Sequence, residues 1–205
     1  MTKKYIDYNL PDEALLKDTE SVYRAMVWEP PLLFIVLGQS NEMEASVFME
    51  NAKADGIPVL KRPSGGETVI LSPKTIVISV LKRGDPLTSP RLYFESYNQK
   101  IIQSLENLGI SNLRTDGISD ICIGDKKILG SSIYRNKDLV LYHAVLNRAE
   151  SPALMERYLK HPLREPKYRQ NRSHASFVTS LENEGYEFSG NDLIDSLLSG
   201  LKNPF

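Results

Sequence analysis

Lys61-Arg62-Pro63-Ser64-Gly65-Gly66-Glu67-Thr68-Val69-Ile70-Leu71-Ser72 sits between two apolar runs, Ile57-Pro58-Val59-Leu60 before it and Thr75-Ile76-Val77-Ile78-Ser79-Val80-Leu81 after it. Both runs have strand composition, so the stretch reads as a bend between strands carrying two cations, a hydroxyl and paired glycines. Gly65 and Gly66 permit positive φ and let a ligand approach bare N–H groups. Successive N–H groups in such a bend form a nest for an anion. Lys61 and Arg62 add charge-assisted donors suited to phosphate or carboxylate. Two readings stand side by side: a site for an acidic small molecule, and a tight turn with two solvated cations. The stretch matches neither the phosphate loop ending in Gly-Lys-Ser/Thr nor the spaced-glycine dinucleotide fingerprint.

The rest of the composition narrows the class. At 205 residues the chain is sized for one domain and buries a large core without disulfides or a structural metal. With 25 basic and 26 acidic residues interspersed, it has no basic tail for nucleic acid and no membrane-surface helix. Cys122 is the single cysteine, so no internal disulfide forms, and three scattered histidines do not make a zinc site. The N-terminus lacks the apolar core of a signal peptide, and no run approaches membrane length. The expectation is a soluble cytoplasmic protein, one unit over residues 1–205 without a fused accessory domain.

Outward from the glycine stretch, Leu32-Leu33-Phe34-Ile35-Val36-Leu37 predicts a strand covered on both faces, ending in the polar loop Gly38-Gln39-Ser40-Asn41. That loop serves equally as a ligand contact or as plain turn chemistry. Residues 4 to 9 predict a short edge strand. Pro11-Asp12-Glu13 predicts the start of a helix running to about residue 27, with the acids complementing its dipole. A second helix is expected over 42–54 and a turn over 82–86. A third helix opens at Pro90, with Phe94, Tyr97, Ile101, Leu105 and Leu108 as its core stripe. Segments 120–123, 126–135 and 139–146 predict an antiparallel meander. Helices are expected at 151–160, from 173, and at 191–201. Helices with a mixed, largely antiparallel sheet argue α+β.

Chemistry concentrates in the meander. Lys127 heads a strand carrying Gly130, Ser131 and Ser132, and is either a solvated strand end or a point charge for phosphate or carboxylate. Gly130 inside a strand marks a bulge or a close approach. Asp120 is a strand-start acid or a candidate Mg²⁺ ligand. Cys122 in an alternating strand reads as a small buried hydrophobe. His143 has no sequence-local partner. Arg164, Arg169 and Arg172 with Tyr168 make either an anion patch or a solvated basic loop.

Taken together these segments resemble the lipoate–protein ligase family, whose catalytic fold is shared with octanoyltransferases and biotin–protein ligases. Residues 61–69 resemble its Arg-Arg-x-Ser-Gly-Gly-Gly-x-Val loop, and residues 38–41 its upstream strand-end loop. Residues 117–121 resemble its Asn-Asp-hydrophobic stretch, 126–132 its Lys-Lys-Ile-x-Gly-Ser-Ala, and 141–146 its His-His-Gly-Thr-Leu. The resemblance implies two half-reactions: lipoate or octanoate plus ATP gives the acyl-adenylate, and the acyl group then passes to a lysine of a lipoyl carrier domain. It implies Lys127 as the catalytic cation. It implies Gly38, Gln39, Lys61, Arg62, Ser64, Gly65, Gly66, Thr68, Val69, Asp120, Gly130, Ser131, Ser132 and His143 as substrate or nucleotide contacts, with Asp120 near Mg²⁺. Departures are Lys61 for arginine, Glu67 for the third glycine, Ser119 for asparagine and Ala144 for the glycine after His143. A separate accessory chain, a transferase using a preformed acyl donor, and a non-catalytic acyl-adenylate-binding subunit are the readings these departures keep open. Pro166 to His174 resembles a segment of one branch of the family, without an assignable role.

Overall fold

The computed structural model describes residues 5–84 and 89–204. The expected turn at 82–86 therefore lies partly outside the described residues.

Two sheets organise the chain. β1 (Ile6–Asp7), β3 (Phe34–Leu37), β4 (Val59–Lys61) and β5 (Val69–Leu71) form a small sheet in the order β1-β4-β3-β5. Its β1–β4 and β3–β4 pairs are parallel and its β3–β5 pair antiparallel. The large sheet runs β2 (Tyr23–Trp28), β6 (Thr75–Arg83), β10 (Leu139–Asn147), β9 (Lys126–Arg135), β8 (Asp120–Ile123), β7 (Leu113–Asp116), antiparallel throughout. Helices flank the sheets, so the fold is α+β with a largely antiparallel mixed sheet.

Alternation along β6 and β10 sorts their side chains between two layers. Ile76, Ile78, Val80, Tyr142 and Leu146 pack against the long helix α4 (Pro90–Asn107) and the last helix α7 (Gly190–Gly200), through Tyr97, Ile101, Leu105, Leu193 and Leu197. The long helix packs on the stripe predicted for it, Tyr97, Ile101 and Leu105 buried and Phe94 and Leu108 beside them. The opposite face sends Val77 toward Val36, Leu60 and Leu71 of the small sheet. The same face also carries Ser79 and His143, polar groups in an apolar layer.

The structure corrects several sequence expectations. The helix predicted from residue 13 to 27 stops at Lys17 as α1 (Glu13–Lys17). Asp18 ends it by accepting from the backbone of Glu20 and Ser21 and the hydroxyl of Ser21. Tyr23–Trp28 then pairs with β6 as β2, because six residues of sheet pairing outweigh a loose helical spacing. The helix expected over 42–54 breaks into α2 (Met43–Ser46) and α3 (Met49–Ala54). Between them Val47 is extended and bridges to Leu159, just beyond α5 (Pro152–Tyr158). β5 and β7 were not foreseen; each is short and pairs at a sheet edge. The helix from 173 is the single turn α6 (His174–Phe177).

Candidate active site

A polar row crosses the inner face of the large sheet. His143 stands in register with Ser79 of β6 on one side and Ser132 of β9 on the other. Asp12, fully buried, meets this row from the start of α1. Its Oδ1 accepts from the Tyr8 hydroxyl at 2.8 Å and its Oδ2 from Ser79 Oγ at 2.6 Å, with Oδ2 also 3.0 Å from His143 Nε2. Burial works to raise the Asp12 carboxyl; the bond and charge of His143 and the two hydroxyl donors outweigh it and hold the group below its ordinary range. Sequence reading took Asp12 only as a helix-start acid. Its partners lie 4, 67 and 131 positions away, so nothing local signals the cluster.

The glycine loop docks onto this row. Ser64 Oγ lies 3.2 Å from His143 Nδ1 and accepts from Arg62 Nε at 3.0 Å and from Ser132 Oγ at 3.1 Å. Arg62, buried, donates further to the carbonyls of Val36, Gly65 and Glu67 at 3.2, 2.6 and 2.9 Å. Its guanidinium is thus the internal frame of the loop rather than an open anion contact. Burial pulls it down to about 10, so it stays charged at neutral pH. Lys61 Nζ donates to the Asn41 carbonyl at 3.2 Å and lies over the Tyr5 ring. Gln39 N–H donates to the Ser64 carbonyl at 2.9 Å. Gly38 backs so closely on the loop that a Cβ there would sit 1.9 Å from the Gly66 carbonyl oxygen.

A cavity of about 880 Å³ opens in front of the loop. Val36, Val69, Leu71, Val77, Leu129 and Val145 give it apolar walls. Gly66, Thr68, Val69, Asp120, Lys127, Gly130, Ser131, Ser132 and His143, all expected from sequence, line it, and so does Arg62. Gly38, Gln39, Lys61, Ser64 and Gly65 stand behind that lining and shape the loop. Glu67 also lines the cavity; burial raises its carboxyl against the opposing influence of Arg62, Arg164, Asn41 and Arg169.

Lys127 Nζ pairs with Asp120 Oδ1 at 2.8 Å. Gly130 makes room for that ammonium: a Cβ would lie 2.6 Å from Nζ. The close approach expected at Gly130 is therefore that of a lysine on its own strand. Asp120 is buried, and both its oxygens are engaged, Oδ1 additionally by Ser119 Oγ at 3.2 Å and Oδ2 by the Tyr168 hydroxyl at 2.7 Å. Among the described residues no group of three His, Cys, Asp or Glu side chains converges as a metal site. Asp120 alone, with its oxygens spoken for, does not fit a resident cation.

Residues 161–169 border the cavity mouth. Tyr168 packs on Phe177 at 5.2 Å between ring centroids, and the Arg169 guanidinium covers the same ring at 4.7 Å. Arg169 is buried and Arg172 pairs with Asp125 at 3.1 Å, so of the three arginines only the exposed Arg164 behaves as a solvated loop cation. Cys122 is buried and outside the cavity lining; burial raises its thiol, which donates weakly to the Tyr168 oxygen at 3.7 Å.

The architecture is a two-sheet α+β domain whose largely apolar cavity counts a lysine among its lining residues, and sequence comparison makes the class specific. The family model of the lipoyl protein ligase A/B catalytic domain matches residues 9–202, and the chain belongs to that family. It is similar to a protein provisionally named lipoate-protein ligase A in Aeropyrum pernix, 29% identical over 149 residues, 71% of this chain and 54% of that protein. It is also similar to the octanoyltransferase LipM of Carboxydothermus hydrogenoformans, 26% identical over 98% of this chain and 80% of that one. The chain spans about half the length of the first curated lipoate ligases it matches. Two solved structures share the fold at TM-score 0.78 and 21% identity, each over 92% of this chain. One, covered over 74% of its length, is from the bipartite lipoate protein ligase of Thermoplasma acidophilum, studied with its E2 lipoyl domain. The other, covered over 76%, is a lipoate-protein ligase A bound with ATP. No described helix is long and apolar enough to cross a membrane.

Proposed function

We propose that the chain is the catalytic part of a lipoate–protein ligase acting in the cytoplasm. It activates lipoate or octanoate with ATP to the acyl-adenylate and passes the acyl group to a lysine of a lipoyl carrier domain. The observation that carries this reading is the apolar cavity with Lys127 among its lining residues. The walls suit an acyl chain, and the ammonium suits its carboxylate and then the α-phosphate, where negative charge develops. The 2.8 Å pair with Asp120 holds Lys127 in place beforehand. Gly66, Thr68, Gly130 and Ser131 supply small or hydroxyl surfaces against which the adenylate lies. Mg²⁺ would enter with the nucleotide phosphates, since the described residues offer it no built site. A separate accessory chain is supported by the shared fold of the bipartite lipoate protein ligase from Thermoplasma acidophilum.

A second reading, transfer from a preformed acyl donor, is favoured by the match to LipM over nearly the whole chain. A thiol relay in such a reaction has only Cys122 to use, and that thiol is buried off the cavity.

Pyrophosphate release with Mg-ATP, with and without lipoate, tests the proposal. Lipoate-dependent release supports it. Without release, transfer from supplied lipoyl-adenylate to a lipoyl domain would assign activation to an accessory chain. Failure of both overturns the ligase reading.

A further inference from the structure

The attacking lysine of the carrier domain arrives as an ammonium, and it must lose a proton to become a nucleophile. The cavity wall holds a directional chain of hydrogen bonds suited to take it. Ser132 lines the cavity and donates to Ser64 Oγ at 3.1 Å. Ser64 also accepts from Arg62 Nε at 3.0 Å, so its own proton is free to point at His143 Nδ1, 3.2 Å away. His143 Nε2 lies 3.0 Å from the Asp12 carboxylate and makes no aligned hydrogen bond there or elsewhere. A carboxylate only accepts, so a ring proton on Nε2 facing it is the favourable tautomer, and that tautomer leaves Nδ1 bare. Asp12 is held ionised in place by Tyr8 and Ser79. In that tautomer the donors of Ser132, Ser64 and His143 run in one direction, from the cavity toward Asp12.

We propose that Ser132, Ser64 and His143 form a proton relay that accepts the proton of the incoming lysine, with Asp12 as the positioning residue that fixes the imidazole tautomer and stabilises the imidazolium. This rests on the ligase reading. Before attack, one ammonium proton passes to Ser132 Oγ, the Ser132 proton moves to Ser64 and that of Ser64 to Nδ1. The neutral amine nitrogen then bonds to the acyl carbon as the acyl C–O bond to the adenylate phosphate breaks; AMP leaves with the bonding pair, and the second proton shed by the nitrogen goes to the departing phosphate. Ser64 itself is not the acyl acceptor: it is fully buried, does not line the cavity and already accepts two hydrogen bonds.

The test is single-turnover transfer from preformed lipoyl-adenylate to two nucleophiles, a lipoyl domain and hydroxylamine. Hydroxylamine is already neutral near pH 7 and needs no base. Asp12→Asn keeps the shape but favours the wrong tautomer, and Ser132→Ala cuts the relay at the cavity wall. Both are expected to slow transfer to lysine on the order of 10²-fold while hydroxylamine capture stays within about threefold. Equal loss with both nucleophiles would mean a structural role, and no loss with either would mean no role; each overturns the relay. If Asp12→Asn does not fold, Ser132→Ala alone decides. Wild-type protein that fails with both nucleophiles overturns the ligase reading and the relay with it, whereas wild-type transfer with unaffected variants overturns only the relay.

Discussion

At the scale of single residues, Lys127 is where charge, geometry and family resemblance converge, and its removal separates catalysis from folding. Lys127→Ala is expected to lower acyl transfer about 10²- to 10³-fold, the cost of removing one preorganised charge at a developing anion. Its effect on stability is smaller, because the lysine side chain keeps 27% of its exposure and Asp120 retains its bonds from Ser119 and Tyr168. A loss of about 1–2 kcal/mol is expected, below the range for breaking a fully buried pair. Transfer kinetics beside a melting curve check this; normal transfer by a folded variant removes Lys127 from the chemistry. Lys127, Gly66, Ser132 and His143 were legible as residues to expect around one cavity because each sits in a segment that resembles a family motif. Asp12 was not, because a buried acid's partners come from strands far along the chain. Arg62 was legible as a cation but not as a loop frame, since four donations to a hydroxyl and three carbonyls exist only once the loop has closed.

At the scale of elements, the glycine loop depends on what stands behind it. Gly38→Ala places a methyl at 1.9 Å from the Gly66 carbonyl, backbone that cannot yield without moving the loop. The expected outcome is a destabilisation of about 1–3 kcal/mol, typical of overpacking, together with at least tenfold weaker acyl-adenylate binding. Urea unfolding and equilibrium binding of lipoyl-adenylate measure the two effects; unchanged binding would show that the loop tolerates displacement. On the opposite side of the cavity, Tyr168→Phe keeps the ring on Phe177 but strips Asp120 Oδ2 of its donor. With one buried hydrogen bond to a carboxylate gone, a stability loss of about 1.5–3 kcal/mol follows. The freed carboxylate pulls harder on Lys127, so KM for lipoate rises more than kcat falls; the reverse split would place Tyr168 in the chemical step. Elements with strong periodicity, such as α4 and the β8–β10 meander, were readable beforehand. α1 and α2 were overextended because helical spacing was counted through Asp18 and Val47, where a side-chain turn and a cross-chain bridge take over.

At the scale of the whole molecule, buried titratable groups set how the fold responds to acid. His174 is buried beneath α5 and the mouth segment, where its faces meet the Lys160 carbonyl, Glu156, Arg169 and His161. Burial and the Arg169 charge hold it below the ordinary histidine value of 6.5, against the Lys160 carbonyl and Glu156. The unfolded chain therefore takes up a proton there before the folded one does, so stability is full above 6.5 and declines as pH falls toward the lower folded value. Asp12 adds a second step in the same direction below the ordinary carboxylate value of 3.8, where the folded group stays ionised and the unfolded one does not. Glu67 works the other way, since its raised carboxyl binds a proton more readily in the folded chain and offsets part of the loss. Urea midpoints measured from neutral pH into acid should thus fall in two stages. His174→Gln should flatten the first stage and leave the second, because the glutamine neither titrates nor disturbs Asp12 on the far side of the cavity layer. If the variant's midpoint falls as steeply through the first stage as that of the natural chain, the acid response belongs to groups other than His174.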